Sequence, residues 1–69
     1  MRLSTRNQLT GTVASIKDGA VMAVVTVDLD GGQQVTASIT MDAVADLGLQ
    51  VGQPVTALVK STEVMIGVE

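Results

Sequence analysis

A regular alternation of apolar and polar residues is the feature that most restricts how this chain can fold. Between positions 21 and 29 every odd residue is apolar, while Thr26 and Asp28 mark the opposite face. Positions 34–40 repeat the pattern, again with apolar residues at the odd numbers. A period of two is typical of a strand that buries one face and exposes the other. Val and Thr dominate the chain, and both are stiff, β-branched residues that suit a pleated surface. The pattern therefore predicts a mainly β protein.

The same reading along the whole chain predicts the order of the elements. A helical period appears only after Thr40, and Ala43, Val44 and Leu47 share one side of it. Thr40 or Asp42 can cap the start of this helix, and Gly48 can stop it. We expect strands at about residues 3–17, 21–29, 34–40, 55–60 and 64–68, a helix at about 42–47, turns at Asp18-Gly19 and Asp30-Gly31-Gly32, and a bulge or bend near Gly11 or Ser15. Five antiparallel strands with one short helix between strands 3 and 4 form an OB-like barrel.

The length of the chain predicts association with other copies. Sixty-nine residues form one small domain, residues 1–69, without a linker or an internal repeat. A chain of this length buries only about 60% of the surface that its unfolded form exposes. Hydrophobic residues make up 46% of the sequence and charged residues only 16%, against a usual charged share of about 25%. Because a small domain cannot hide so much apolar surface alone, we expect a homo-oligomer.

Residue types that carry most enzyme chemistry are missing. The chain has no Cys and no His, which removes thiolate and imidazole nucleophiles, bases and metal ligands. It has no aromatic residue on which a nucleobase, a sugar or a pterin could stack. We interpret the carboxylate pairs, Asp28 with Asp30 and Asp42 with Asp46, as turn and helix-surface residues. We expect no enzymatic activity, no cofactor and no directly bound metal cation.

Charge and hydropathy bear on location and partners. The net charge of −3 comes from four Lys or Arg against seven Asp or Glu, which disfavours DNA or an acidic membrane as a partner. The longest apolar stretch, residues 20–25, is far shorter than the roughly 20 residues of a spanning helix. Residues 1–10 lack the apolar core of a signal peptide. We expect a soluble, cytoplasmic protein that binds neither nucleic acid nor membrane.

Two of the four basic residues lie in unusual surroundings. Arg6 follows Ser4 and Thr5, and Lys60 precedes Ser61, so each cation is embedded among small hydroxyl-bearing residues. A fixed positive charge beside hydroxyl and main-chain N–H donors is what a compact oxyanion requires. The residues alone favour solvated charges at strand ends over an anion site. They indicate an oxyanion site or two ordinary surface cations.

Four segments spread along the chain are informative when they are taken together. They are Ser4-Thr5-Arg6-Asn7-Gln8-Leu9, Gly19-Ala20-Val21-Met22-Ala23, Val35-Thr36-Ala37-Ser38-Ile39-Thr40 and Val55-Thr56-Ala57-Leu58-Val59-Lys60-Ser61-Thr62-Glu63-Val64. In this order they resemble the molbindins, the stand-alone molybdenum-pterin-binding-protein (Mop) type of domain. The resemblance covers essentially the whole chain and implies an OB-like domain that assembles as a hexamer, a trimer of dimers. It also implies binding of molybdate or tungstate at subunit interfaces, for intracellular molybdenum storage or homeostasis.

The resemblance further implies which residues hold the anion. The interface site would combine the Ser-x-Arg-Asn segment of one subunit with the Lys-Ser segment of another. In the family, the residue between the serine and the arginine is often alanine, and in this chain it is Thr5. That site comprises Ser4, Thr5, Arg6, Lys60 and Ser61. A second site would lie on the threefold axes, near Gly19, Ala20, Val21, Ser38 and Thr40.

Two other functions stay open beside molybdate or tungstate binding. The strand order alone is also that of OB-type nucleic-acid-binding domains, although these need a basic groove and stacking rings that this chain lacks. The apolar excess alone would fit a purely structural oligomerisation module. Molybdate fits the donor-rich segments because its oxygens carry no proton at neutral pH and only accept hydrogen bonds.

Overall fold

The computed structural model describes all residues, 1–69, and forms one antiparallel sheet with a short helix. The sheet order is β3-β2-β1-β4, so β3 and β4 are its two edges. The elements are β1 (Asn7–Asp18), β2 (Met22–Leu29), β3 (Gln34–Thr40), α1 (Met41–Leu47), β4 (Pro54–Val59) and a single 3-10 turn (Ser61–Glu63). The mainly β class, with one helix between the third and fourth strands, is confirmed. Neither helix is long and apolar enough to cross a membrane.

The long strand β1 connects the two halves of the sheet. Its first half pairs with β4 and its second half with β2, and Gly11 faces both Leu29 and Val55. A Cβ atom at Gly11 would collide with the carbonyl oxygen of Asp28 and would lie 2.9 Å from Cγ1 of Val27. Only glycine therefore allows the strands to approach as closely as they do here.

A β-bulge in β1 keeps the apolar residues on one face. Val13 pairs with Val27 and Ser15 pairs with Thr26, so Ala14 is the extra residue. Because of this extra residue, Ile16 lies on the same face as Val13 although their numbers differ in parity, and Ile16 pairs with Val25. This irregularity confirms the bulge expected near Ser15.

The core is small and lies on the concave face of the curled sheet. Val13, Ala23, Val25 and Val27 are the buried hydrophobic residues, each 5% exposed or less, and only five of 69 residues are buried. Half-buried apolar side chains surround this centre: Ile16, Leu29, Val35, Ile39, Leu49 and Val55.

The helix α1 begins one residue before the predicted start and ends at the predicted residue, and of the two candidate caps, Thr40 and Asp42, Thr40 is the one observed. The Thr40 hydroxyl accepts a hydrogen bond from the Ala43 N–H at 3.0 Å. Gly48, with φ of 59°, ends the helix and donates its N–H to the last-turn carbonyls.

The fifth predicted strand is where the structure differs from expectation. Residues 64–69 form no strand and no ladder, and we call residues 64–68 the tail. Val64, Ile66 and Val68 are 47%, 87% and 93% exposed. The tail follows the 3-10 turn, and no strand of its own chain pairs with it. The first strand also begins at Asn7 rather than near Leu3.

Candidate oxyanion-binding site

The Arg6 and Lys60 segments meet at one end of the β1–β4 ladder. The last pair of that ladder is Asn7 with Val59, so Arg6 precedes it by one residue and Lys60 follows it by one. Arg6 and Lys60 are 54 positions apart in the sequence, and the antiparallel register alone brings them to the same end. We call residues 4–6 with Lys60 and Ser61 the ladder-end site.

Two side-chain amides hold the backbone of this site in place. The Asn7 Nδ2 group donates to the Val59 carbonyl oxygen at 3.0 Å and fastens the last rung of the ladder. The Gln8 Nε2 group donates to the Thr5 carbonyl oxygen at 2.8 Å. On the other segment, the Glu63 N–H donates to the Lys60 carbonyl oxygen at 2.9 Å. Both segments are therefore shaped by contacts that leave the candidate donors uncommitted.

The ladder-end site presents hydrogen-bond donors without internal partners. The main-chain N–H groups of Ser4, Thr5, Arg6 and Lys60 donate to no acceptor within the chain. The side-chain hydrogen bonds of the chain involve neither cation and none of the three hydroxyls at this site. Every residue of the site is exposed except Thr5, which is half-buried. Such an array suits a ligand that only accepts hydrogen bonds.

The distribution of charge favours an anion at the same place. No Asp or Glu occurs in residues 1–17 or 47–62, which supply all of β4 and all of β1 except its last residue, Asp18. Three of the four basic residues, Arg2, Arg6 and Lys60, precede β1 or follow β4 at this end. Asp18 lies at the opposite end of β1, so a dianion at this end meets no carboxylate from the adjoining parts of β1 and β4, and it relieves the repulsion between like charges.

Asn7 is the residue whose role the sequence did not reveal. It lies within the Ser-x-Arg-Asn segment, yet its side chain fastens the ladder to Val59. Its partner is a main-chain carbonyl 52 positions away, so no side-chain motif could have indicated the contact.

The second predicted set gathers near the other end of β1. Met22 pairs with Thr40 and Val24 pairs with Ser38, while the Met41 N–H donates to the Val21 carbonyl oxygen at 2.7 Å. The turn of residues 19–21 therefore lies beside the end of β3, and the five predicted residues Gly19, Ala20, Val21, Ser38 and Thr40 come together.

This second set also offers donors, although fewer. The N–H groups of Gly19, Ala20 and Val21 donate to no acceptor within the chain. The Thr40 hydroxyl accepts from the Ala43 N–H, and its own hydrogen is still available to donate. No Lys or Arg belongs to the set.

Neither set lines a cavity of the single chain. The concave regions lie elsewhere: two shallow depressions beside Asp30, and an apolar groove between β3 and β4. A small anion held only by exposed donors would stay hydrated on its open side. Enclosure of either site therefore requires surface from another molecule.

Comparisons with known proteins agree with the residues and the fold. The family model described as the TOBE domain matches residues 3–66. The probable molybdenum-pterin-binding protein of Haemophilus influenzae is 45% identical over 69 residues and is covered completely, as is this chain. The molybdate-binding protein of Sporomusa ovata superimposes with a TM-score of 0.92 at 47% identity, over 99% of this chain and 100% of that one.

A third comparison concerns a structure with its ligand. The cytoplasmic molybdate-binding protein ModG, solved with molybdate bound, gives a TM-score of 0.95 at 49% identity. The match covers 100% of this chain and 49% of ModG. These relatives are described as binding proteins, in agreement with the expectation of no enzymatic activity. The chain belongs to the TOBE-domain family and, within it, to the molybdenum-pterin-binding (Mop) proteins that its sequence resembles.

Proposed function

We propose that this protein binds molybdate, and also tungstate, at subunit interfaces of a homo-oligomer and stores molybdenum inside the cell. The observation that carries the proposal is the ladder-end site. There, two cations and four unpaired N–H groups gather where β1 begins and β4 ends, at the end of β1 opposite to Asp18. Family membership supplies the ligand class, because ModG was solved with molybdate bound.

The chemistry of the donors favours molybdate over phosphate. All oxygens of molybdate accept hydrogen bonds at neutral pH, whereas phosphate keeps a proton part of the time and needs an acceptor for it. The ladder-end site includes no carboxylate side chain to take that proton. Sulfate carries the same charge and shape but is smaller, so the size of the enclosed cavity would discriminate against it.

The amount of exposed surface supports assembly. The chain exposes 5422 Å², whereas a compact monomer of 7.1 kDa is expected to expose only about 4,100 Å². The radius of gyration is 12.7 Å, against about 11 Å for a compact chain of this length. We propose the hexamer, a trimer of dimers, that the resemblance implies. An anion that bridges subunits then stabilises the assembly by mass action.

The remaining parts of the proposal concern the second site and the setting. Residues 19–21 with Ser38 and Thr40 form the candidate threefold site, and residues 1–69 act as a single Mop-type domain. A cytoplasmic location is proposed because ModG is described as cytoplasmic. Storage needs only reversible binding, which matches a site built from hydrogen bonds without covalent ligands.

Calorimetry tests the proposal directly. The protein is titrated with molybdate, tungstate, sulfate and phosphate, and we expect molybdate and tungstate to bind most tightly. Arg6→Ala and Lys60→Ala should each weaken molybdate binding by about tenfold or more, since each removes a charge-assisted hydrogen bond. Lys17→Ala is the matched control, because it removes the same charge near the other end of β1.

Two results would contradict the proposal. Absence of molybdate binding at micromolar concentrations would end it, and a stable oligomer whose melting temperature ignores molybdate would favour the purely structural function. Equal losses in Arg6→Ala and Lys17→Ala would show that general charge, rather than the ladder-end site, attracts the anion.

A further inference from the structure

One of the unpaired N–H groups of the ladder-end site belongs to a peptide group whose carbonyl is already held. The Arg6 N–H shares this peptide group with the Thr5 carbonyl oxygen, which accepts a hydrogen bond from Gln8 Nε2 at 2.8 Å. The peptide is trans, as are all others in the chain, so its N–H and its C=O point in opposite directions within one plane. The amide of Gln8 therefore fixes the direction in which the Arg6 N–H points.

The same arrangement recurs on the other segment of the site. The Lys60 N–H shares its peptide group with the Val59 carbonyl oxygen, to which Asn7 Nδ2 donates at 3.0 Å. Asn7 and Gln8 are successive residues of β1, so their side chains leave opposite faces of the strand, and each reaches a different segment. Two neighbouring amides thus hold one main-chain donor on each side of the site.

The other two main-chain donors of the site have no such support. The N–H groups of Ser4 and Thr5 share peptide groups with the carbonyls of Leu3 and Ser4, and neither carbonyl accepts a hydrogen bond within the chain. The held donors are those of Arg6 and Lys60, the two residues whose side chains also carry the positive charge of the site. The amides thus support the main chain of the site at its two cations.

We propose that Gln8 and Asn7 are positioning residues for the oxyanion and act through the N–H groups of Arg6 and Lys60, an inference that rests on the proposed function. Two physical effects give them this role. A hydrogen bond to a peptide carbonyl draws electron density from the nitrogen, which makes the N–H of the same peptide group a stronger donor. The bond also prevents the peptide group from turning its carbonyl oxygen, which repels an anion, toward the ligand.

An uncharged amide is the donor that suits this function. A Lys or Arg at either position would itself attract the anion, and a carboxylate could only accept a hydrogen bond. With both carbonyls held away, the ligand meets only donors on these two peptide groups, as an oxyanion without a proton requires. Gln8 and Asn7 thereby contribute to the affinity without touching the anion.

Removal of the Gln8 amide tests the first part of the inference. Gln8→Leu keeps a side chain of similar size at this exposed position and removes its donor. We expect the affinity for molybdate, measured by calorimetry on the assembled protein, to fall about three- to tenfold. Gln34→Leu is the matched control, because it removes another exposed amide, which donates to Asp28 at 2.7 Å, and it should keep the affinity. Equal affinities of the two variants would overturn the inference.

Main-chain esters show whether Gln8 acts through the Arg6 N–H or only shapes the segment. An ester between Thr5 and Arg6, introduced by chemical synthesis of the full chain, replaces that N–H by an oxygen atom. In this ester, Gln8→Leu should change the molybdate affinity by less than about twofold, because the donor that it supports is gone. In an ester between Val59 and Lys60, Gln8→Leu should again cause the full loss. The same loss in both esters would mean that Gln8 has a structural role only, and would overturn the inference.

Asn7→Leu gives the reciprocal cycle. Its loss of molybdate affinity should disappear in the Val59–Lys60 ester and persist in the Thr5–Arg6 ester. Asn7 also fastens the last rung of the ladder, so thermal unfolding is measured alongside, and the Gln8 cycle decides the inference if this variant does not fold. Absence of molybdate binding by the unaltered protein would overturn the proposed function. Binding that neither the esters nor the amide variants weaken would overturn this inference alone.

Discussion

Strand β2 and the tail carry the same sequence pattern but lie in opposite surroundings. In β2, Val25 and Val27 are buried in the centre of the core, while Ile66 and Val68 of the tail are almost fully exposed. Both segments alternate branched apolar residues with other residues. The difference is that β2 has a strand on each side, whereas no strand of its own chain pairs with the tail.

This comparison shows what periodicity specifies. Alternation indicates that a segment can form a half-buried strand, but it does not state which molecule supplies the partner. For β2 the partners are β1 and β3 of the same chain. For the tail, no strand of the same chain is a partner.

The largest expected effect separates burial within the chain from burial between chains. Val25→Asp places an unpaired carboxylate in the core and should cost more than about 4 kcal/mol, which abolishes folding. Val68→Asp should leave the sheet of each chain folded and affect only assembly. Circular dichroism measures both, with Val24→Asp on the exposed face of β2 as the control. Equal loss of sheet signal in Val25→Asp and Val68→Asp would show that the single chain needs both segments equally in order to fold.

The second effect concerns the close approach that lets β1 pair on both sides. Gly11→Ala should destabilise the fold by about 2 kcal/mol or more, because the new Cβ collides with the Asp28 carbonyl. Gly31→Ala adds the same atom where nothing lies within 4 Å and should be nearly neutral. Chemical unfolding in urea compares the two variants, and equal midpoints would show that Gly11 is not needed for the close packing.

The third effect concerns the helix that follows β3. Thr40→Ala removes the cap of α1 and should cost about 1 kcal/mol. Thr36→Ala, at another exposed position of β3, is the control and should change stability by less than half as much. Thermal unfolding measures the difference. A larger loss in Thr36→Ala would mean that packing, not capping, controls this region.

The smallest effect concerns the only carboxylate between the ladder-end site and the tail. Glu63→Gln removes a negative charge three residues after Lys60 and should raise molybdate affinity by about two- to fivefold at low salt. The gain should shrink as salt is added, because exposed charges are screened. Glu69→Gln, farther along the chain, serves as the control in the same titration. A loss of affinity in Glu63→Gln would show that its carboxylate supports the site.

Much of the fold could be predicted from local chemistry. The parity conflict between Val13 and Ile16 indicated the bulge, and the Thr40 and Gly48 signals placed α1 within one residue of its observed start. These features depend on neighbouring residues, so the sequence contains them directly. Strand ends were less accurate, because the pairing partner decides where a ladder stops, as at Asn7.

The site could be predicted only in part. Hydroxyls beside Arg6 and Lys60 indicated an oxyanion, but their common location depends on the register of β1 against β4, which has no local signal. The free N–H groups depend equally on the folded backbone. Neither the role of Asn7 nor the missing partner of the tail could be read from a single chain.

The separation of charge along the chain has a consequence for how the anion arrives. Five of the seven carboxylates lie between residues 18 and 46, so most of the negative charge is located in the part of the chain that does not form the ladder-end site. A dianion in bulk solution is repelled by the molecule as a whole, and it is attracted only within about 8 Å of Arg6 and Lys60, the screening length at physiological salt. Moderate salt should therefore speed the capture of the anion, the reverse of ordinary electrostatic steering.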